Sequence, residues 1–380
     1  MSLVRISTAT CLDYDEGRIR KALDELLEPI GGMSAFVRPG MRVLLKPNLI
    51  HGTPPERGAT THPAVLKAVV EMVRTCGGQA VVGESPGYQP FAVASKRSGL
   101  LDVIDRLKVD VASFADTVDV QLGAGHLVPS LPLAREAVEA DLVINLPKLK
   151  SHGLVLYTGC VKNMFGVISG AQKAGYHLRF QDTETFSRLL AEVYGAVRPG
   201  LNILDGIIGM DGNGPRNGDP APMGVLIAGA DGVAVDAVAC AGIGLGSTAS
   251  APVRIAARMG LGTADLEQIE ILGSGFRTMA DHQFHLPHSG RPSMRKIAMS
   301  GHLGKVLRGI LIPRPSVRLS GCKGCRICVQ ACPAKAITLR GGVAVIDASR
   351  CIRCYCCQEL CEHGAIHIVA SPIARILRGR

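Results

Sequence analysis

Six short apolar runs punctuate the first 290 residues: MRVLLKP (41–47), QAVVGE (79–84), DLVINLP (141–147), LNILDG (201–206), MGVLIAG (223–229) and IEILG (269–273). Each is rich in Val, Ile and Leu and stops at glycine, proline or a polar residue, which is the pattern of a strand buried on both faces. Between the runs the apolar spacing becomes helical. Residues 62–76 line up Val65, Val69, Met72, Val73 and Cys76 on one face, with Thr61 as N-cap, Pro63 in the first turn and Gly77-Gly78 as the stop. Residues 184–197 repeat the pattern with Phe186, Leu189, Leu190 and Val193. Strand alternating with helix predicts an α/β fold with a mainly parallel sheet and flanking helices.

Sheets of this kind place their chemistry in the crevice beyond the carboxyl ends of the strands. The residues that follow the strands are polar: Lys46 and Asn48, Glu84 and Ser85, Lys148, Lys150, Ser151 and His152, Asp205 with GMDGNGP (209–215), and Asp231 with Asp236. Gly, Pro, Asn and Asp punctuate any loop. Lysines do not, and Lys46, Lys148, Lys150 and Lys162 sit at or just after apolar strands, where a solvated charge has no structural reason to recur. In YTGCVKNMFG (157–166) a helix beginning at Thr158-Gly159 sets free backbone N–H groups and Lys162-Asn163 at one point, an arrangement that binds carboxylate or phosphate. The candidate catalytic set is therefore Lys46, Asn48, His62, Glu84, Lys148, Lys150, His152, Lys162 and Asn163, and all of these but His62 are expected in one pocket. His62 and His152 are its groups able to exchange a proton near neutral pH. The competing structural account makes the lysines solvated loop ends and the histidines hydrogen-bonded fillers. GMDGNGP starts like a calcium loop, but Gly214-Pro215 and a missing distal Glu spoil it. No GxGxxG between strand and helix and no Walker lysine motif is present, and nothing marks a flavin or nicotinamide.

Charge divides the chain. Residues 291–380 hold 16 Lys/Arg and 3 Asp/Glu, a net of +13, which leaves −3 for residues 1–290. The boundaries read as an α/β domain over 1–290, a basic linker over 291–318, a small α+β domain over 319–370 and a basic tail over 371–380. The linker spaces Ile297, Leu303, Val306, Leu307 and Ile310 among Lys296, Lys305 and Arg308, as a helix lying on anionic lipid or packed on its own protein would. Nucleic acid is excluded as a partner: there is no Trp, aromatics make up 4%, and no binding motif interleaves the charges. GVLIAGADGVAVDAVACAGIGLG (224–246) is interrupted by Asp231 and Asp236 and is no membrane span. The N-terminus meets acidic residues before any apolar signal core, so a cytoplasmic protein is expected.

Of 13 cysteines, four are scattered (Cys11, Cys76, Cys160, Cys240) and nine crowd the C-terminal region. Cys322, Cys325, Cys328 and Cys332 are spaced three, three and four apart and followed by Pro333; Cys351, Cys354, Cys357 and Cys361 repeat that spacing 29 residues later. Ala336-Ile337 and Ala365-Ile366 continue the duplication. A zinc ribbon or a disulfide scaffold does not call for this register. Two departures stand out: Glu362 where the first run has a proline, and Cys356 beside Cys357, read as a buried thiol near the cluster.

The runs resemble those of bacterial two-cluster ferredoxins. That resemblance implies one 4Fe-4S cluster on Cys322, Cys325, Cys328 and Cys361 and a second on Cys332, Cys351, Cys354 and Cys357, the fourth ligand of each crossing over. Upstream, KPNLI (46–50), THP (61–63), GESPG (83–87), LPKLKSHGLVLYTGCVKNMFGVISG (146–170) and ADGVAVDAVA (230–239) resemble the domain-of-unknown-function 362 family, many members of which carry such a ferredoxin domain. A fainter likeness, on a Thr-Xaa-Pro segment and a glycine-then-lysine loop, runs to the lactate racemase family and implies hydride or nickel-cofactor-like chemistry. Two functional readings follow. In one, the α/β domain is a reductase whose pocket faces a cluster, and it passes low-potential electrons from the clusters to a small anionic substrate. In the other, the protein is an electron-transfer or cofactor-maturation partner without turnover of its own. Either calls for an acidic electron-donor or acceptor protein to meet the basic C-terminal region.

Overall fold

The structure is a computed structural model and describes residues 3–87, 89–287 and 312–369. The basic linker from 291 to 311, with the helical pattern of Ile297, Leu303, Val306, Leu307 and Ile310, and the tail from 370 onward lie outside the described residues.

The apolar runs form the strands they predict. In chain order the α/β domain has β1 (Val4–Thr10), β2 (Arg42–Pro47), β3 (Gln79–Gly83), β4 (Asp110–Ala112), β5 (Thr117–Gln121), β6 (Ser130–Ala134), β7 (Leu142–Leu146), β8 (Lys148–His152), β9 (Leu156–Thr158), β10 (Leu201–Asp211), β11 (Asp219–Ala221), β12 (Val225–Gly229) and β13 (Ile269–Gly273). The main sheet has the order β13-β1-β12-β10-β7-β2-β3-β4, with β8 and β11 paired to β10 and β9 to β8. The β2, β3, β4, β7 and β10 neighbours pair in parallel, as do β1 and β13. Strand β12 is antiparallel to both of its neighbours, β1 and β10, so it alone runs against the main path. The strands carry apolar residues at consecutive positions because both faces are covered. Val43 and Leu45 face one core with the helices Glu16–Leu27 and Pro63–Thr75, while Leu44 faces another with Thr183–Val197 and Gly232–Gly242. Among the described residues no helix is long and apolar enough to cross a membrane.

Three expectations need correction. The N-cap of the helix Pro63–Thr75 is His62, whose ring accepts from Ala64 N, and not Thr61. The Thr61 hydroxyl instead accepts from Asn48 N at 2.7 Å and donates to Leu146 O at 2.6 Å, so it bridges two strand ends. Residues 148–152, expected as crevice residues following β7, are themselves the strand β8. Residues 314–317, read as linker, form a strand of the C-terminal domain.

That domain is built from two equivalent halves. Strand β14 (Arg314–Val317), the helix Ile327–Ala331 and β15 (Ile337–Arg340) recur as β16 (Val343–Ile346), the helix Cys356–Leu360 and β17 (Ile366–Val369). The halves interlock, since β14 pairs with β17 and β15 with β16. Positive φ recurs in step: Gly324 and Arg353, Arg326 and Tyr355, Lys335 and Gly364.

Candidate functional site

Strands β2, β3 and β7 end side by side, and β2 is where the connections change direction, first to β3 and β4 and later to β7 and β10. Ligand crevices form at such switch points. Lys46 closes β2, is fully buried, and is ion-paired with Glu84 just beyond β3. Burial alone pushes the Lys46 ammonium below its usual value; Glu84 opposes that. A desolvated charge persists when it is paired in this way. Gly166 lies against this pair so closely that a Cβ there would collide with the Glu84 carboxylate.

Lys150 has no such counter-ion. Its amine donates to Asn48 Oδ1 at 2.5 Å and to Ala59 O at 2.7 Å, both neutral acceptors. Burial first, then the nearby Lys162 and Lys148, pushes it well below the usual lysine range. Asn48 Nδ2 donates to Asn163 Oδ1 at 2.9 Å, and Asn163 Nδ2 to Asn145 Oδ1 at 2.8 Å. This amide chain fixes residues 160–163 to the sheet.

The expected anion site at the helix Cys160–Asn163 is already filled from within. Asp236, fully buried, accepts from Cys160 N at 2.6 Å, Val161 N at 3.0 Å and the Tyr157 hydroxyl at 2.9 Å. Burial raises its carboxyl to about 6 against those bonds. A Cβ on Gly159 would strike both Tyr157 and Asp236, so only glycine permits this cap. Asp231 is likewise no crevice residue. It follows the reversed strand β12 and caps the helix Gly232–Gly242 through Val233 N and Ala234 N.

Lys148 and His62 stand apart from the rest. Lys148 Nζ donates to Asp205 Oδ2 and to the Tyr14 hydroxyl, both at 2.7 Å. Tyr14 donates to Asp205 Oδ1 at 2.9 Å and stacks on His62 with ring centroids 3.5 Å apart. This buried network is self-satisfied, and neither residue borders the cavity described next; of the eight residues expected in one pocket, Asn48, Glu84, Lys162 and Asn163 line it, whereas Lys46, Lys148, Lys150 and His152 do not.

The cavity has about 120 Å³ and lies between the strand ends and the C-terminal domain. Asn48, Glu84 and Ser85 form its floor, Lys162, Asn163 and Phe165 one side, Lys173 and His177 another. Ala331 of the first cysteine run and Cys356, Glu359 and Leu360 of the second close it. Lys46, Lys150 and His152 stand behind these residues. Lys162 is half-buried, and its ammonium makes no hydrogen bond or ion pair with any described residue. Lys173 donates to the Ser85 carbonyl, and burial lowers its ammonium to about 8. Burial also lowers His177 to about 4.

His152 Nδ1 accepts from Leu154 N at 3.0 Å, which leaves the proton of the neutral ring on Nε2. That atom is 3.1 Å from Glu359 Oε1 but off the line of a good hydrogen bond. Burial, then Lys162, holds His152 at about 4. For Glu359 burial acts upward and is outweighed by His152, Lys162 and His177, which bring it to about 2. At neutral pH the pair is a neutral imidazole beside a carboxylate. Sequence reading missed Glu359, Lys173 and His177, because nothing in the local pattern shows which helix faces the crevice.

Two further hollows occupy the C-terminal domain. One is walled by Cys322, Cys325, Cys328 and Cys361, the other by Cys332, Cys351, Cys354 and Cys357 together with Cys356. Among the described residues no three donors converge on a point suited to a single ion. Thiols spread around a hollow suit a polynuclear centre, in which each binds a separate iron. The duplicated alanines donate to the crossing sulfurs, Ala336 N to Cys332 Sγ at 3.2 Å and Ala365 N to Cys361 Sγ at 3.3 Å. Such bonds stabilise thiolate and tune the cluster it holds.

An α/β domain whose crevice abuts a duplicated cysteine-rich module defines an iron-sulfur protein. Comparison with known proteins places it further. Residues 43–241 match the family described as "Domain of unknown function (DUF362)", and residues 314–362 match the 4Fe-4S dicluster domain. The chain belongs to the DUF362 family. A thylakoid-associated protein of Synechocystis sp. is 40% identical over 239 residues, 61% of this chain and 72% of that protein. The lactate racemase apoprotein of Thermoanaerobacterium thermosaccharolyticum aligns with 14% identity and a TM-score of 0.40, covering 61% of this chain and 55% of that structure.

Proposed function

We propose that the protein is a reductase in which two 4Fe-4S clusters deliver electrons to a small anionic substrate held in the cavity at the strand ends. One observation carries this reading: Cys356 borders both the cavity and the second cysteine-lined hollow, so carrier and pocket share a wall. The first cluster is assigned to Cys322, Cys325, Cys328 and Cys361, the second to Cys332, Cys351, Cys354 and Cys357. When bound, the clusters supply single electrons at low potential.

The chain's own residues do the remaining work. Lys162, the cation on the cavity wall without an internal partner, pairs with the substrate anion. Lys173, largely protonated at neutral pH yet with its value lowered to about 8, releases the proton that reduction takes up. Phe165 and Leu360 exclude water and strengthen both contacts. Glu359 sets a negative charge at the cluster end, which orients the substrate's anionic group toward Lys162. Cluster thiolates require a reducing compartment, which supports a cytoplasmic site of action.

Native mass spectrometry of protein purified without oxygen tests this reading. Wild type retains a small anion and Lys162→Gln loses it, by roughly tenfold or more in affinity for one charge-assisted contact, with iron content unchanged. Equal retention by both proteins refutes the assignment of Lys162, and a cavity that retains no ligand under any condition refutes the reductase.

A further inference from the structure

The two cysteine-lined hollows are not equivalent toward the rest of the molecule. The second shares Cys356 with the cavity. The first, walled by Lys323, Gly324, Cys325, Arg326 and His363 among others, shares no lining residue with the cavity. Cys325 is exposed, whereas the other seven cysteines of the two sets are half-buried or buried. The inner site is turned to the cavity, and the outer one reaches the surface at Cys325.

Charge on the same domain is sorted in the same sense. Over residues 312–369 the basic side chains Arg314, Arg318, Lys323, Arg326, Lys335, Arg340 and Arg350 are exposed. Of the acidic ones, Glu359 and Glu362 turn inward to His152 and His51 of the α/β domain, and Asp347 stays outside. Leu319, whose carbonyl accepts from Cys322 N, is 64% exposed and sets an apolar side chain beside the first cysteine loop. A basic surface around one apolar contact is the complement of an acidic protein carrier.

We propose that an acidic one-electron carrier protein docks on the face formed by Leu319, Lys323, Cys325 and Arg326, so that electrons enter at the outer cysteine site and leave through the inner one. This rests on the electron-transfer part of the reading above and not on the identity of the substrate. In each encounter one electron leaves the partner's reduced centre, which is oxidised by one, and the outer site is reduced by one. No atom or proton crosses.

The test uses the full chain, loaded with iron and sulfide without oxygen, and a reduced plant-type 2Fe-2S ferredoxin of strong net negative charge as probe. Complex affinity is read by thermophoresis and electron entry by stopped-flow bleaching of the visible absorbance. The second-order rate should fall about tenfold or more as salt rises toward 0.5 M, because steering between exposed charges is screened. Lys323→Glu with Arg326→Glu should cut both affinity and rate about tenfold or more, while bleaching by dithionite stays unchanged. A salt-independent rate, a double variant as fast as wild type, or a greater effect from Lys335→Glu with Arg350→Glu overturns the placement. The two proposals fail separately, since ligand retention by the cavity is read by native mass spectrometry on wild type and carrier docking by thermophoresis, and neither result depends on the other.

Discussion

Glu362 stands where the first cysteine run has Pro333, and it joins the C-terminal domain to the α/β domain. Its Oε1 accepts from His51 Nε2 at 2.5 Å, Gln89 Nε2 at 3.1 Å and Arg97 NH1 at 2.7 Å, with Arg216 NH2 at 3.9 Å. Replacing Glu362 with Ala removes the acceptor and leaves the donors. His51 is 1% exposed and cannot rehydrate, so its loss costs about 1–3 kcal/mol, and Gln89 adds about 1 kcal/mol. Arg97 is 48% exposed and contributes little. Docking should therefore weaken by about 2–4 kcal/mol, roughly a 30- to 900-fold shift toward the undocked form. It should not vanish, because Asn217 Nδ2 still donates to Gln358 O at 2.9 Å and Arg216 NH1 to Leu360 O at 3.2 Å. Amide hydrogen exchange read by mass spectrometry checks this. Peptides covering 48–53 and 356–362 should exchange faster in Glu362→Ala than in wild type, with an intermediate effect in Glu362→Gln and no change in the sheet core. Unchanged exchange in both peptides would refute the claim that this carboxylate holds the domains together.

The metal content follows from the two cysteine sets: protein purified without oxygen should hold about eight iron and about eight sulfide per chain. Cys357→Ser should lose one cluster's complement and Cys356→Ser none; the reverse result would move the second ligand set by one residue. Stability should depend on pH through His62, His152 and His177, which burial lowers from 6.5 to about 4. Below pH 6.5 the unfolded chain takes up protons that the folded one refuses, so stability falls as pH drops from 6.5 to about 4 and is flat from these groups above 6.5. Glu359 acts in the same direction at lower pH, since its folded value of about 2 lies under the ordinary 4.5. Thermal melts at a series of pH values should show the decline, and His177→Phe should make it shallower.

Apolar periodicity made the central strands legible, because strands buried on both faces leave runs that little else imitates. It could not show β8. Lys148, Lys150 and His152 alternate with Leu149 and Ser151, a pattern that reads as a polar loop until burial of the lysines is known. Nor could it show that β12 runs backward, since direction depends on which neighbour a strand pairs with. Asp231 therefore lies at the opposite edge of the sheet from the crevice. The helix start at Cys160 was legible from Thr158-Gly159, but its occupant, Asp236, lies 76 residues on and belongs to another element. Of the recurring lysines, Lys162 lines the cavity, Lys46 and Lys150 are buried against Glu84 and Asn48 of its wall, and Lys148 pairs with Asp205.

The duplicated C-terminal module contained a signal that local pattern alone does not use. Its halves agree in strand, helix and φ, so positions where they differ in kind mark where one half has a neighbour that the other lacks. Across the offset of 29 residues, Ile327 becomes Cys356, Val329 becomes Gln358, Gln330 becomes Glu359, Ala331 becomes Leu360 and Pro333 becomes Glu362. All five replacements in the second half touch the α/β domain or its cavity. Cys356, Glu359 and Leu360 wall the cavity, Gln358 bonds Asn213 and Asn217, and Glu362 bonds His51. In the first half the equivalent helix reaches the cavity with the small Ala331 but carries the exposed Gln330 and adjoins the exposed Arg326. Divergence between the halves thus tells the docked side from the free side before any coordinate is known, because ligand geometry fixes the cysteines and turns in both halves while docking constrains one. The two departures from the ferredoxin pattern, Cys356 and Glu362, are where the carrier is fitted to the domain it serves.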